Sequence, residues 1–241
     1  MVRALPEIEY PQVLQAHLKT FGGYFPDKVK WHADTFTVEV TEQMPLELRV
    51  SMSYLHLVGD IQDVMDNVEL VLLDLVSLSE RPPQDPKEGE RRYFLLTKLF
   101  FYELLRIRDA IPRFLKRMEE HGLMSKEDRH ATKKLMEQQL SEHYLIRNVY
   151  LHGHSLPKSG QEEDLSLISI LGKYGFEPKL VPLAGGEAKR YPELLQELAL
   201  KRRDGLKKIA GDMSAFCQNI INYTAEWVHH HDFRRGPEAR T

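Results

Sequence analysis

The apolar positions of this chain change their period near residue 48, and the change separates two kinds of predicted structure. Upstream, residues 8–21 hold enough apolar positions for a short helix that Gly22 and Gly23 would end, and residues 35–40 alternate β-branched or aromatic residues with others, which predicts a strand. Residues 1–47 therefore read as a small α/β appendage. From Leu48 onward, Leu55, Val58, Ile61, Met65, Val68, Leu72 and Leu75 recur every three or four residues and describe one long amphipathic helix. Arg81-Pro82-Pro83 stops it, because proline supplies no helical N–H and its predecessor avoids α geometry.

The next helix covers roughly residues 90–120 and is apolar nearly all round between Phe94 and Leu105, which suits the middle of a bundle. Pro112 is expected to kink or split it, and His121-Gly122 to end it. Ser125-Lys126-Glu127-Asp128 has the form of a capping box, opening a helix that runs to about His152, where Gly153 can take the left-handed stop conformation. Residues 156–164 read as a polar loop. Residues 165–183, apolar but interrupted by Gly172, Gly175, Pro178 and Pro182, read as irregular with room for one or two short strands, so that about 155–190 form an insertion. The last helix starts near Tyr191-Pro192. Its apolar stripe runs through Leu195, Leu198, Arg202, Leu206, Ile209, Met213, Phe216, Ile220, Tyr223 and Trp227, and is expected to pack along its length against the bundle or a second copy. The fold class expected is mainly α: an up-and-down bundle of four to five long helices over residues 48–241, with the N-terminal appendage and the insertion.

Composition narrows the partners. Of 241 residues, 42% are hydrophobic and 29% charged, a normal globular mixture, and the formal net charge of -3 means that any nucleic-acid site must be local. The single cysteine, Cys217, excludes an intrachain disulfide and fits a reducing cytosol. No apolar core of a signal peptide is present at the N-terminus. The most apolar runs, residues 68–78 and 94–105, are broken by Asp74 and by Lys98 and Glu103, short of the ~20 apolar residues that a membrane span needs. A cytoplasmic protein with no membrane contact is expected.

Candidate chemistry concentrates in residues 142–154. Met136, Leu140, His143 or Tyr144, Arg147 and Leu151 share one helical stripe, so Arg147 stands on a face that otherwise favours burial. A buried guanidinium needs an anionic or carbonyl partner. Either Glu142 or helix-end carbonyls satisfy it structurally, or it faces a cleft that receives an anion such as phosphate.

The segment Arg147-Asn148-Val149-Tyr150-Leu151-His152 resembles the motif of the HEPN family: an Arg, usually followed by a polar residue, then a His after four to six positions. His154 lies at the longest permitted spacing from the same Arg. Arg49…His56 also matches the spacing, but Val50 follows the Arg and the segment enters the middle of a helix, so it is set aside. The resemblance covers mainly residues 50–155 and the final helix. It implies a compact bundle of four or five helices that dimerises and acts as a metal-independent endoribonuclease, often a toxin or antiviral effector, without cofactors. It also allows a non-catalytic module that binds nucleotide, RNA or a protein partner such as an antitoxin.

On that resemblance Arg147 would hold the scissile phosphate, His152 would serve as acid/base and Asn148 would support them, with Tyr150, His154 and His143 as accessories. These side chains suit RNA cleavage by its own 2′-OH. Imidazole exchanges protons near neutral pH, and guanidinium brings a permanent charge and a donor fork to the phosphorane oxygens. Five residues at ~100° each set Arg147 and His152 roughly 140° apart on a continuous helix. They converge only if the helix ends between them or if a second protomer completes the site, whereas Asn148 and His152 share a face.

Other clusters have plainer readings. His152-Gly153-His154 with His143 lacks the cysteine or carboxylate pattern of a dedicated zinc site. His229-His230-His231 reads as an exposed helix end. Residues 201–208 are locally basic but point all round their helix, except Arg202, whose place on the apolar seam calls for an interior or interfacial anion. Lys133 and Lys134 are ordinary surface charges, and Cys217 packs as a small hydrophobe. A plain helical scaffold, in which Arg147 and His152 only cap and stabilise, is the third reading.

Overall fold

The structure, a computed structural model, describes residues 5–15, 29–32, 37–40, 44–151, 160–174 and 189–229; for residues 29–32, 37–40, 139, 142–151 and 229 the description is of the backbone alone. Its elements are a 3₁₀ turn (Gln12–Leu14), strands β1 (Val29–His32) and β2 (Thr37–Val40), and helices α1 (Leu46–Glu80), α2 (Pro86–Leu104), α3 (Ile107–Glu120), α4 (Lys126–Leu151), α5 (Gly160–Lys173) and α6 (Tyr191–His229). The protein is mainly helical and belongs to the helical-bundle class, as the three-and-four spacing of its apolar residues requires. The two strands pair antiparallel with Val29 opposite Val40 and His32 opposite Thr37, which gives the strand read at 35–40 a partner that the alternation had not marked.

Helix ends follow local chemistry. Asp85 caps α2 by accepting the Lys87 N–H at 3.0 Å, with Pro86 in the first turn where a missing N–H costs nothing. The α3 stop has the hydrogen bonds of a Schellman turn: Leu123 N–H reaches the Met118 carbonyl at 3.0 Å, and Gly122 supplies the left-handed residue at φ 70°. Ser125 Oγ accepts the Asp128 N–H at 3.0 Å and donates its proton to Asp128 Oδ2 at 2.7 Å. At the start of α6, Glu193 accepts the Arg190 N–H at 3.0 Å.

Three expectations change. The helix read over 90–120 is interrupted at Leu105–Arg106, not at Pro112, which lies inside α3. A proline ring presses on the carbonyl four residues back and leaves it without a donor; with the break just upstream, that disturbed turn becomes the first turn of a new helix. The second change is α5, which occupies residues expected to be partly loop and partly irregular. Glu162 and Glu163 favour its N-terminus, and Leu165, Ile168 and Ser169 are buried at helical spacing. Gly172 is a packing glycine: a Cβ there would lie 3.1 Å from the Pro86 ring. The third concerns α6, whose C-terminal half buries Ala210, Ser214, Cys217, Ile221 and Ala225, small residues for the most part, while Tyr223 is 52% exposed against Trp227.

The chain forms two compact units. Unit 1 comprises Met1–Pro6, Val64–Arg106 and Gln139–Met213; its core draws on Val68, Leu72 and Leu75 of α1, Phe100 and Leu104 of α2, Leu165 of α5, and Leu195 and Leu198 of α6. Unit 2 comprises Glu7–Asp63, Ile107–Gln138 and Ser214–Thr241. In it Tyr54 and Phe114 meet edge to face at 4.7 Å, over Ile61, Ile107, Ile111 and Leu115. The segment before the strands is held there by Gln62, which accepts the Ile8 N–H, and by Gln218, which accepts the Glu9 N–H and donates to the Glu9 carbonyl. Among the described residues no helix is long and apolar enough to cross a membrane.

Candidate functional site

α4 carries the motif on its backbone. The helix is continuous from Lys126 through Leu151, so Arg147, Asn148 and Tyr150 belong to its last turns and His143 to the turn before. Met136 and Leu140, the first members of the stripe that in sequence leads to Arg147, are both buried. His152 and His154 lie outside the described residues, as do Gly153 and most of the histidine run after α6. Among the described residues no group of three or more His, Cys, Asp or Glu side chains is placed to hold a metal ion.

The most fully built polar cluster lies in unit 1, where Arg202 of α6 finds the anion that its place on the apolar seam demanded. That anion is Glu162 of α5, 4% exposed. Arg202 Nη2 pairs with Glu162 Oε1, Arg202 Nε donates to the Tyr93 hydroxyl at 3.0 Å, and that hydroxyl donates to Glu162 Oε1 at 2.8 Å. Next to it, Ser166 donates to Glu90, so two hydrogen-bonded pairs tie α5 to α2. Burial pushes the Tyr93 hydroxyl well above the usual tyrosine pKa, despite the opposing pull of Arg202. Burial works against the Arg202 charge, but Tyr93 and Glu162 outweigh it and hold its pKa above the ordinary value. All three groups thus keep one protonation state through the neutral range, which suits fixing helices and does not suit shuttling protons. A cavity of about 350 Å³ opens beside them, with Phe101, Leu206 and Ile209 on its apolar side and Gln161 and Lys201 on its polar one. Glu162 and Tyr93 escaped the sequence reading because one resembled an ordinary acidic first turn and the other one more member of an apolar run.

The remaining singled-out groups take simple places. Cys217 is fully buried, and burial alone pushes its thiol up to about 12, so it packs as a hydrophobe. Lys133 is a surface charge that pairs with Glu137 one turn on, at 3.7 Å. Lys189 pairs with Glu197, whose carboxyl it holds below the usual range with help from Gln161.

Comparison with protein-family models, with curated proteins and with solved structures finds no match to this chain.

Proposed function

We propose that this protein is a metal-independent endoribonuclease of HEPN type, cytoplasmic and homodimeric, with a composite site made of Arg147, Asn148 and His152. The observation that carries the reading is the position of the motif: a long helix in a mainly helical protein holds Arg147 and Asn148 in its final turn, and His152 follows directly. Continuity of the helix through Leu151 removes the simplest way for Arg147 and His152 of one chain to converge, and so favours a site to which two protomers contribute. In this scheme His152 takes the proton of the 2′-hydroxyl as that oxygen attacks phosphorus, or returns a proton to the departing 5′-oxygen. Arg147 neutralises the charge that grows on the phosphorane. Tyr150, His154 and His143 would border the RNA. Such an activity would serve a toxin or antiviral role and would require a restraining antitoxin or partner protein.

The test is incubation of the purified protein with end-labelled RNA in EDTA. Cleavage that leaves 2′,3′-cyclic phosphate ends is expected, and Arg147→Ala or His152→Ala should reduce it at least about a hundredfold without altering the thermal melt. Equal cleavage by both variants would remove this site from consideration. RNA binding without cleavage by the wild type would identify the non-catalytic module, and neither binding nor cleavage would leave the helical scaffold.

A further inference from the structure

In unit 2 the structure brings an imidazole and two guanidiniums together at a place the motif search set aside. His56 and Asp60 stand one turn apart on α1, and Arg113 and Arg117 one turn apart on α3. Arg117 Nη1 lies 3.0 Å from His56 Nδ1, and Arg113 Nη2 lies 3.3 Å from Asp60 Oδ2. The four side chains rim a cavity of about 230 Å³ whose inner wall includes Leu57, Ala110 and Phe114. Arginine has only donors, so His56 Nδ1 accepts and the ring carries its proton on Nε2.

The charges in this cavity do not balance. Two guanidiniums face one carboxylate, and among the described residues Arg117 meets no carboxylate at all: its hydrogen bond ends on a neutral ring nitrogen. The Arg113–Asp60 pair is long for a charged contact, and its side chains are 65% and 50% exposed, so the Asp60 carboxylate holds Arg113 only weakly. A guanidinium fork with an unused donor edge, a second fork one turn away and an imidazole N–H form a donor set for a tetrahedral oxyanion. We propose that this cavity binds a phosphate group through Arg117, Arg113 and His56, with a phosphate oxygen taking the place of Asp60 on Arg113. The phosphate can be free or belong to a nucleic-acid strand. The inference rests on described residues alone and stands independently of the Arg147–His152 proposal.

The test uses the full-length, ¹⁵N-labelled protein. Arginine Nε–H and histidine ring signals are followed during titration with inorganic phosphate, with sodium chloride at matched ionic strength, and with a short single-stranded oligonucleotide. Saturable shifts of Arg117, Arg113 and His56 with phosphate and not with chloride are expected. Arg117→Gln should weaken phosphate binding roughly tenfold, and Asp60→Asn, which removes the competing carboxylate, should tighten it about threefold. If the oligonucleotide moves the same signals at far lower concentration, the occupant is a strand phosphate; if it does not, the occupant is the free anion. Chloride shifts equal to those of phosphate, or unchanged binding by Arg117→Gln, would overturn the site.

Discussion

A carboxylate as buried as Glu162 is tolerated only because two donors meet it, and this makes its removal costly. Glu162→Gln keeps the shape and one hydrogen bond but leaves Arg202 without an anion. Because the Arg202 side chain is 29% exposed, water can recover part of the loss, and we expect destabilisation of about 2 kcal/mol by urea denaturation, below the ~3–5 of a fully buried pair. His121 offers a pH-dependent counterpart. Burial, the Arg49 charge and then the Arg117 charge depress its pKa, with Glu120 opposing. A depressed folded pKa means that the unfolded chain binds the proton more readily, so the contribution of His121 is fully present above its unfolded value of ~6.5 and is lost as pH falls through the folded one. Replacing it by Gln should flatten the fall in melting temperature between neutral and mildly acidic buffer; an identical slope would show that other groups cause it. At this scale the sequence revealed needs better than partners. That Arg202 required an anion was readable from its place on the seam, whereas Glu162 lies forty residues away on a helix that the glycine at 172 had disguised.

Helix spacing rests on single positions that size alone controls. A Cβ on Gly89 would overlap the Tyr191 hydroxyl and come within 2.8 Å of Leu195 Cδ2, whereas one on Gly59 would meet nothing within 4 Å. Both glycines sit inside helices, where alanine is intrinsically better by about 1 kcal/mol. We therefore expect Gly59→Ala to raise the melting temperature and Gly89→Ala to lower it, with a net loss of about 1–2 kcal/mol as α6 is forced away from α2. The contrast explains which elements were legible. The long helices α1 and α6 announced themselves because their periodicity depends on many side chains at once. α5 did not, since Gly172 and a short apolar run look alike whether they break a helix or let a proline ring approach it. The inward face of α6 was misjudged past Met213 for a related reason: large aromatics such as Tyr223 attract attention as core, yet the closer packing is made by Ala210, Ser214, Cys217 and Ala225.

For the molecule as a whole, the proposed ribonuclease makes a demand that mixing can test. If Arg147 of one protomer works with His152 of its partner, an Arg147→Ala dimer and a His152→Ala dimer are each inactive, yet a heterodimer of the two holds one intact site. Exchange of subunits in an equal mixture should then restore about a quarter of wild-type cleavage, the random share of heterodimers times one site in two. No recovery after verified exchange would place the two groups in the same chain. That pairing was the least accessible part of the site from sequence, because periodicity along one helix reports nothing about a second molecule. The interleaving of the two units has a consequence of its own. Each is assembled from three separated stretches of chain, and α1 and α6 each contribute residues to both. No single cut can therefore release one of them intact, and a fragment ending anywhere between residues 64 and 213 forfeits pieces of both, so that whatever this protein does must be sought in the uncut chain.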